Sequence, residues 1–307
     1  YEGESIYNYL QVKNLSDRTI LSTNVLFGVQ SVTMKDKGLT GMYYDTALAA
    51  PALADNANSA LILGMGTGTY ARQLKQYYPK MNITGVEIDQ KITDLAGEYF
   101  DEPADIPVTT YDGRAWLAAS HDKYDVIMVD AYQDITIPFQ MSSTEFFTMV
   151  REHLDPGGVM VVNMNMISDG QGSINEALSD TIASVFGNGN TLTADVPNTT
   201  NRELFAKKPG SGSEENSMQQ ASKALNLRET TYERTGSEDL EWYMEEVASR
   251  FRKVNEPDSA STILTDDKAP VEVLGMHAID QIIADEAGPY RQILKDEGFG
   301  GLLRAVQ

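Results

Sequence analysis

A short apolar run followed by three alternating glycines constrains the fold of this 307-residue chain more than any other stretch. The run, Ala60-Leu61-Ile62-Leu63, leads directly into these glycines: Gly64, Gly66 and Gly68. An amphipathic segment with helical spacing follows and ends at Pro79, and a second β-forming run then reaches Glu87. This order of strand, glycine turn, helix, strand and acid predicts one βαβ unit.

The chemistry of this turn indicates a nucleoside site. Glycines between a strand and a helix let a ligand approach the backbone closely, where a Cβ atom would clash. The helix that begins near Gly68 directs free N–H groups at the same place. Glu87 follows Gly68 by 19 residues and ends the second strand, where its carboxylate can accept hydrogen bonds from ribose hydroxyls.

The spacing of the glycines distinguishes two kinds of nucleotide site. The dinucleotide pattern G-x-G-x-x-G requires a glycine at position 69, where this chain has Thr69. The pattern present, G-x-G-x-G, fits a site of the S-adenosylmethionine type better. A plain tight turn is the simplest alternative, but the glycines, the helix start and the acid together favour the nucleoside site. The cofactor-binding candidates in the turn are Gly64, Gly66, Thr67 and Gly68.

The composition bounds the class of protein and its partners. Hydrophobic residues make up 41% of the chain, which predicts a globular protein with room for two domains. Cysteine is absent and the three histidines lack metal-ligand spacing, so we expect no metal site. The formal net charge of −21 disfavours nucleic-acid binding, and it favours either plain solubility or attraction of a small cationic substrate.

The apolar runs and the first residue of the sequence give an expectation for where the protein is located in the cell. No run approaches 18 apolar residues, so nothing in the sequence is expected to span a membrane. The sequence begins at Tyr1 without a methionine, which leaves room for an upstream segment. We expect a cytoplasmic protein, which such a segment could tether to a membrane.

The alternation of strands and helices continues after the first βαβ unit. Strands are predicted at 107–111, 124–129 and 159–163, and a pair at 191–196 and 202–207 closes the sheet. The predicted fold class is α/β, with a seven-stranded, mostly parallel sheet preceded by a small antiparallel β region. The predicted domains are an N-terminal β region (1–42), a nucleotide-binding α/β domain (43–207) and a mainly helical extension (208–307).

Four acids follow consecutive strands of the predicted parallel sheet: Glu87, Asp112, Asp130 and, slightly further on, Asp134. The carboxyl ends of parallel strands form one edge of the sheet, where ligands bind. Glu87 suits a ribose and Asp112 an adenine amino group, while Asp130 and Asp134 would lie beside the reacting centre. Any one of these acids could instead cap the next helix.

Five segments give the chain a resemblance to a known family: Leu26–Gln30, Tyr43–Thr46, Gly64–Thr69, Gly85–Asp89 and Tyr124–Asp130. They resemble motifs of the bacterial and other spermidine synthases (polyamine aminopropyltransferases), which have a Rossmann-like, S-adenosylmethionine-dependent methyltransferase fold. The resemblance covers most of residues 5–207. It implies transfer of an aminopropyl group from decarboxylated S-adenosylmethionine to a diamine such as putrescine, and a homodimer. It assigns catalysis to Asp130 and substrate binding to Gln30, Tyr44 and Asp134.

Two departures from the family pattern keep other functions open. Thr67 stands where the family has an acid that holds the aminopropyl ammonium group, and Asp130 and Asp134 are one residue further apart than in the family. A methyltransferase that uses intact S-adenosylmethionine is therefore the first alternative, because Thr67 and the helix start could accept a carboxylate. A non-catalytic domain that binds an adenosyl group or a polyamine is the second. A nicotinamide dehydrogenase ranks last, because position 69 is not glycine.

Overall fold

The computed structural model describes residues 1–24, 28–101, 103, 105–131, 137–165, 172–210, 217–259, 261–276 and 295. Its first part is a four-stranded antiparallel sheet in the order β1-β2-β3-β4. The strands are β1 (Glu2–Glu4), β2 (Tyr9–Asn14), β3 (Arg18–Thr23) and β4 (Ser31–Met34). This N-terminal sheet confirms the small antiparallel region that the sequence predicts.

Two short helices connect the N-terminal sheet to the central sheet: α1 (Tyr43–Ala47) and α2 (Ala49–Leu53). The alanine-rich stretch predicts a single helix, and Pro51 explains the break, because proline has no N–H to donate to the carbonyl of Ala47. The Tyr70 hydroxyl donates to that carbonyl instead, at 3.0 Å. Both helices are fully buried.

The central sheet has eight strands in the order β12-β10-β11-β9-β8-β5-β6-β7. The strands are β5 (Ser59–Leu63), β6 (Asn82–Glu87), β7 (Val108–Thr110), β8 (Tyr124–Val129), β9 (Leu154–Met164), β10 (Thr191–Asp195), β11 (Arg202–Lys207) and β12 (Phe251–Lys253). Strands β5 to β9 are parallel, and β10, β11 and β12 are antiparallel. The predicted α/β class is confirmed. The eighth strand, β12, lies in a stretch that the sequence assigned to helices.

Helices cover both faces of the central sheet. They are α3 (Thr69–Tyr77), α4 (Gln90–Tyr99), α5 (Gly113–Ala119), α6 (Thr144–His153), α7 (Ile174–Phe186), α8 (Ser217–Ala221), α9 (Ala224–Thr235) and α10 (Glu238–Arg250). One buried core packs α1, α2, α3, α9 and α10 against one face, and a second packs α5, α6 and α7 against the other. Alternate residues of β5, β9 and β11 serve the two cores, as a pleated sheet requires.

Two local predictions are corrected by the structure. Ser142, three residues before Glu145, predicts a capping box at the start of α6. The N-cap is instead Ser143, whose hydroxyl accepts from the Phe146 amide, and Ser142 donates to the Phe139 carbonyl. Asp155-Pro156-Gly157-Gly158 predicts a turn, but strand β9 begins at Leu154 and continues through it. The pattern of Ile279–Leu294 predicts a helix that lies outside the described residues, and the three domain boundaries stay a prediction.

Thr69, the residue that departs from the dinucleotide pattern, connects β4 of the N-terminal sheet to α3. Its hydroxyl accepts from the Val32 amide and donates to the Val32 carbonyl, both at 2.9 Å. A glycine at this position could not make either bond, so the departure has a structural role here. Within the described ranges, no helix is both long and apolar enough to cross a bilayer.

Candidate active site

A cavity of about 340 Å³ opens at the carboxyl ends of β5, β6 and β8. Tyr7, Asn8, Leu21 and Thr23 of the N-terminal region form one wall. The lining also holds most of the candidates from the sequence: Gln30, Tyr44, Gly64, Gly66, Glu87, Asp112 and Asp130. The structure therefore brings residues from both sheets together around one site.

The glycine turn forms the floor of this cavity, and two of its glycines have conformations that exclude other residues. Gly64 has φ of +89°, and a Cβ there would collide with the carbonyl of Asp130. Gly66 has φ of +55°, and a Cβ there would lie 2.7 Å from the Ser31 hydroxyl oxygen. The backbone can take this path only without side chains, and both glycines line the cavity.

Glu87 is fixed at the cavity wall by backbone N–H groups. One carboxylate oxygen accepts from the Gly66 amide at 2.8 Å, and the other accepts from the Asp89 amide at 3.0 Å. Burial raises the pKa of Glu87, and these two bonds oppose the increase. A carboxylate has about four acceptor sites, so Glu87 retains capacity for two ribose hydroxyls.

Asp112 lies next to Glu87 and has two roles that are compatible. It is the N-cap of α5, where one carboxylate oxygen accepts from the Ala115 amide at 2.7 Å. Capping uses only one of its two oxygens, and the residue also lines the cavity. Both the capping role and the ligand-binding role that the sequence suggests are therefore open to this side chain.

Asp130 is held by two side chains from distant parts of the chain. The Tyr43 hydroxyl donates to one carboxylate oxygen at 2.7 Å, and the Asn163 amide donates to the other at 3.0 Å. Asn163 is itself oriented by Asn201, whose side chain donates to it at 2.9 Å. Burial raises the pKa of Asp130 to about 7, against the opposing effect of the two donors. This value suits a general base at neutral pH.

Two stacked tyrosines at the start of α1 cover the Asp130 side of the cavity. The rings of Tyr43 and Tyr44 lie 4.0 Å apart between centroids. Burial raises the pKa of both hydroxyls, so both remain protonated and act as donors. Tyr44 donates to the backbone carbonyl of Gln30 at 2.6 Å, which fixes the segment that carries Gln30 against the cavity.

Three residues proposed from the sequence are not among the described residues that line the cavity. Thr67 is fully buried, and its amide donates to the Ser31 hydroxyl at 3.2 Å. Gly68 is the N-cap of α3 with φ of +81°, and neither residue lines the cavity. Asp134 lies outside the described residues. The ligand-binding roles of all three stay predictions.

Sequence reasoning missed Tyr43 and Asn163, the two donors to Asp130. Asn163 carried a usable signal, because it stands near the carboxyl end of an apolar strand, as Asp130 does. Tyr43 carried none, since two adjacent tyrosines begin the helix and the pattern does not say which one faces Asp130. In the described part of the chain, no three acids or histidines are grouped closely enough to hold a metal ion.

Comparison with known proteins places the chain among relatives that share this fold. The model of the spermine/spermidine synthase domain matches residues 42–208. Polyamine aminopropyltransferases of Corynebacterium efficiens and Vibrio vulnificus are 36% and 28% identical over 131 and 197 residues, or 39% and 61% of this chain. These matches cover 25% and 64% of the relatives, so the chain spans less than two thirds of the length of either relative.

Solved structures support the fold independently. A probable spermidine synthase from Corynebacterium glutamicum superposes with a TM-score of 0.59 and 20% identity, over 86% of this chain and 98% of that chain. A spermidine synthase in complex with the transition-state analogue AdoDATO superposes with a TM-score of 0.55 and 19% identity, over 69% of this chain and 74% of that one. Since the domain model matches more than half of its residues, this chain belongs to the spermine/spermidine synthase family.

Proposed function

We propose that this protein is an aminopropyltransferase that moves an aminopropyl group from decarboxylated S-adenosylmethionine to a diamine such as putrescine. The observation that carries the proposal is the Asp130 carboxylate, which has a pKa of about 7 and two side-chain donors at the mouth of a nucleoside-type cavity. The family membership and the relatives named polyamine aminopropyltransferase support the same reaction class.

The nucleoside part of the donor would bind on the Glu87 side of the cavity. Glu87 would accept the ribose hydroxyls with its remaining acceptor sites, and Asp112 would accept from the adenine amino group. Gly64 and Gly66 line the cavity, and the ribose and the sulfur would lie against their backbone. This arrangement would direct the reactive carbon of the donor toward Asp130.

Asp130 would act as the general base for the amine. An amine with a pKa of about 10 is mostly protonated at neutral pH, so its nitrogen must lose a proton before it attacks. The nitrogen would then form a bond to the carbon next to the sulfonium while the carbon–sulfur bond breaks. Asp130 holds the proton that the amine lost before the attack, and methylthioadenosine leaves as a neutral thioether.

The tyrosine pair addresses a conflict in this chemistry. An anionic carboxylate attracts a cationic amine but also stabilises its protonated form. The stacked rings of Tyr43 and Tyr44 are buried beside Asp130, and an apolar surface disfavours the charged form of an amine. We expect this desolvation to offset part of the stabilisation by Asp130.

The decisive experiment supplies decarboxylated S-adenosylmethionine and putrescine and measures methylthioadenosine and spermidine. Both products should appear in equal amounts and require both substrates. Binding of methylthioadenosine without turnover in any pairing would refute the enzyme and favour a non-catalytic adenosyl- or polyamine-binding domain. The same assay with spermidine or cadaverine as the acceptor would define which amine the enzyme prefers.

Transfer of a methyl group from intact S-adenosylmethionine is the second candidate, and Thr67 is the observation that favours it. Thr67 is uncharged and fully buried where the resemblance leads us to expect an acid for the aminopropyl ammonium group. Without that acid, the site has less reason to prefer the decarboxylated donor. Tighter binding of intact than of decarboxylated S-adenosylmethionine by calorimetry would support methyl transfer, and the reverse order would support aminopropyl transfer.

A further inference from the structure

The segment 264–271 lies beyond the residues that match the synthase domain, and the reaction described above gives it no role. Both of its ends are anchored in the core that α5, α6 and α7 share, where Leu264 and Val271 are fully buried. The Leu264 amide donates to the Thr181 hydroxyl of α7 at 2.9 Å, and the Leu264 carbonyl accepts from the Thr144 amide of α6 at 2.9 Å. The segment is therefore fixed across the first turn of α6.

Asp266, within this segment, forms an ion pair with Arg114 of α5 through two hydrogen bonds. The Arg114 Nη1 atom donates to Oδ1 of Asp266 at 2.8 Å, and Nη2 donates to Oδ2 at 2.6 Å. The Ser143 hydroxyl also donates to Oδ1, at 2.5 Å, and the Asp266 amide donates to the Glu145 carboxylate at 3.0 Å. Because the pair has two parallel bonds, Asp266 fixes the orientation of the guanidinium as well as its position.

The same guanidinium reaches a part of the cavity wall. Nη1 of Arg114 also donates to the Gln140 carbonyl, at 2.7 Å. Gln140 belongs to the single 3₁₀ turn Phe139–Met141, which precedes α6, and both Gln140 and Met141 line the cavity. The last carbonyls of a helical turn have no partner within the turn. Arg114 therefore supplies the donor that holds this part of the wall.

This part of the wall lies on the nucleoside side of the cavity. A Cβ atom built on Gly113 would lie 3.6 Å from the methyl carbon of Met141. Gly113 follows Asp112, the residue that we assign to the adenine amino group. Met141 is buried, so an adenine ring beside Asp112 would lie next to the surface that the Gln140–Met141 turn presents.

The ion pair is better placed to orient the wall than to hold the fold together. The side chains of Arg114 and Asp266 are 21% and 40% exposed, and partly exposed ion pairs contribute little to folding stability. The core contacts of Leu264 and Val271 anchor the segment without Asp266. The pKa of Arg114 is raised, first by its hydrogen bonds to Asp266 and less by the charges of Glu145 and Asp112, so the guanidinium stays charged.

We propose that Asp266 is a positioning residue for the nucleoside: it orients Arg114, which holds the Gln140 carbonyl and so keeps the Gln140–Met141 turn against the ligand. The inference rests on the proposed function only in that the cavity binds a ligand with a nucleoside. Asp130 takes its side-chain donors from Tyr43 and Asn163, which are outside this network. Loss of Asp266 should therefore weaken ligand binding and leave the chemical step unchanged.

The test measures the affinity for methylthioadenosine by calorimetry and the steady-state kinetics with decarboxylated S-adenosylmethionine and putrescine. D266A and R114K should each bind methylthioadenosine several-fold more weakly, up to about tenfold, as expected when one hydrogen bond no longer orders the wall. R114K is informative because lysine keeps the charge but cannot form the two-bond pair. KM for the donor should rise by the same factor, while kcat stays within about twofold and the acid limb of the pH–rate profile does not move.

Three further variants separate positioning from a structural role. The double variant D266A/R114K should bind methylthioadenosine no more weakly than R114K, because Asp266 acts through Arg114. E241A breaks the ion pair of Arg228 and Glu241 between α9 and α10, which is exposed to a similar degree (23% and 20%), and it should leave the affinity unchanged. If D266A does not fold, D266N keeps the shape of the side chain and should weaken binding in the same direction.

The outcomes distinguish this inference from the proposed function. Equal affinity of the wild type, D266N and R114K for methylthioadenosine would overturn the role of Asp266 and leave aminopropyl transfer intact. A double variant weaker than R114K by the full effect of D266A would also overturn it, because Asp266 would then act independently of Arg114. Binding of neither methylthioadenosine nor any S-adenosyl compound to the wild type would refute the proposed function, and the inference would fail with it. Weaker binding by the variants of a protein without transferase activity would support the positioning role in a nucleoside-binding domain.

Discussion

The two sides of the cavity are built in different ways. On the Glu87 side, backbone groups of the glycine turn and of the neighbouring strand ends fix the acid, and all of them lie within a single βαβ unit. On the Asp130 side, side chains from α1 and β9 fix the acid, and they lie 87 and 33 residues away in the chain. The first side is therefore local to one βαβ unit, while the second depends on the packing of distant segments and is the side to which we assign the proposed reaction.

The largest effect that separates the two sides is expected from Asp130→Asn. The variant keeps the shape of the side chain but cannot accept the amine proton, so turnover should fall by about 10²–10⁴-fold. The affinity for methylthioadenosine, measured by calorimetry, should stay close to that of the wild type. Turnover within twofold of the wild type would remove Asp130 from the mechanism, and an equal loss of nucleoside affinity would show that the two sides are not independent.

The pH dependence of the rate tests the same side without a mutation. A general base must be ionised, and the pKa of Asp130 is raised from 3.8 to about 7. Activity should therefore be present above pH 7 and should fall about tenfold for each pH unit below it, measured as kcat/KM for the diamine. Circular dichroism across the same range serves as the control for folding. A flat profile between pH 5 and 8 would contradict the assignment.

Tyr43→Phe should sharpen the comparison, because it removes a donor from Asp130 without touching the Glu87 side. Loss of a hydrogen bond to a charged group should raise the pKa of Asp130 and reduce the rate at pH 7 by about tenfold or more. The acid limb of the pH–rate profile should move to higher pH. Tyr44→Phe is the matched control, since Tyr44 donates to the Gln30 carbonyl, and its acid limb should not move.

The smallest expected effect is that of Glu87→Gln, on the nucleoside side. Glutamine keeps one acceptor oxygen but directs an amide N–H₂ at one of the two backbone donors. The affinity for methylthioadenosine should fall several-fold, up to about tenfold, whereas the rate at saturating donor should change little. Glu98→Gln on the exposed part of α4 is the control. A larger effect on the saturated rate than on affinity would place Glu87 in the reaction.

The same contrast explains what could be predicted from the sequence. The βαβ unit, the parallel strands and the acids at their ends follow from local spacing and from the periodicity of apolar residues, and the structure contains them. The donors to Asp130 depend on how α1 packs over β9, and no local pattern encodes that packing.

Two smaller differences have the same origin. The spacing of Ser142 and Glu145 favoured Ser142 as the cap of α6, but Ser143 is the cap because Ser142 is used by the preceding turn. Strand β12 has only three residues. It forms a strand because it pairs with Leu192, Thr193 and Ala194 of β10. For both the cap of α6 and the strand β12, tertiary contacts outweighed the local preference of the sequence.

The N-terminal sheet has a consequence for the lifetime of a bound ligand. It forms one wall of the cavity, yet it lies outside residues 42–208. Hydrogen bonds of Ser5, Asn8, Ser31 and Val32 connect it to the α/β body, together with a small buried cluster of Leu10, Val12 and Leu21 against Ile92, Leu95 and Phe100. Because this cluster is much smaller than the two cores of the central sheet, the N-terminal sheet should open locally more often than they do. We expect the frequency of this local opening to limit how fast a product dissociates, so the sheet acts as a slow gate on turnover.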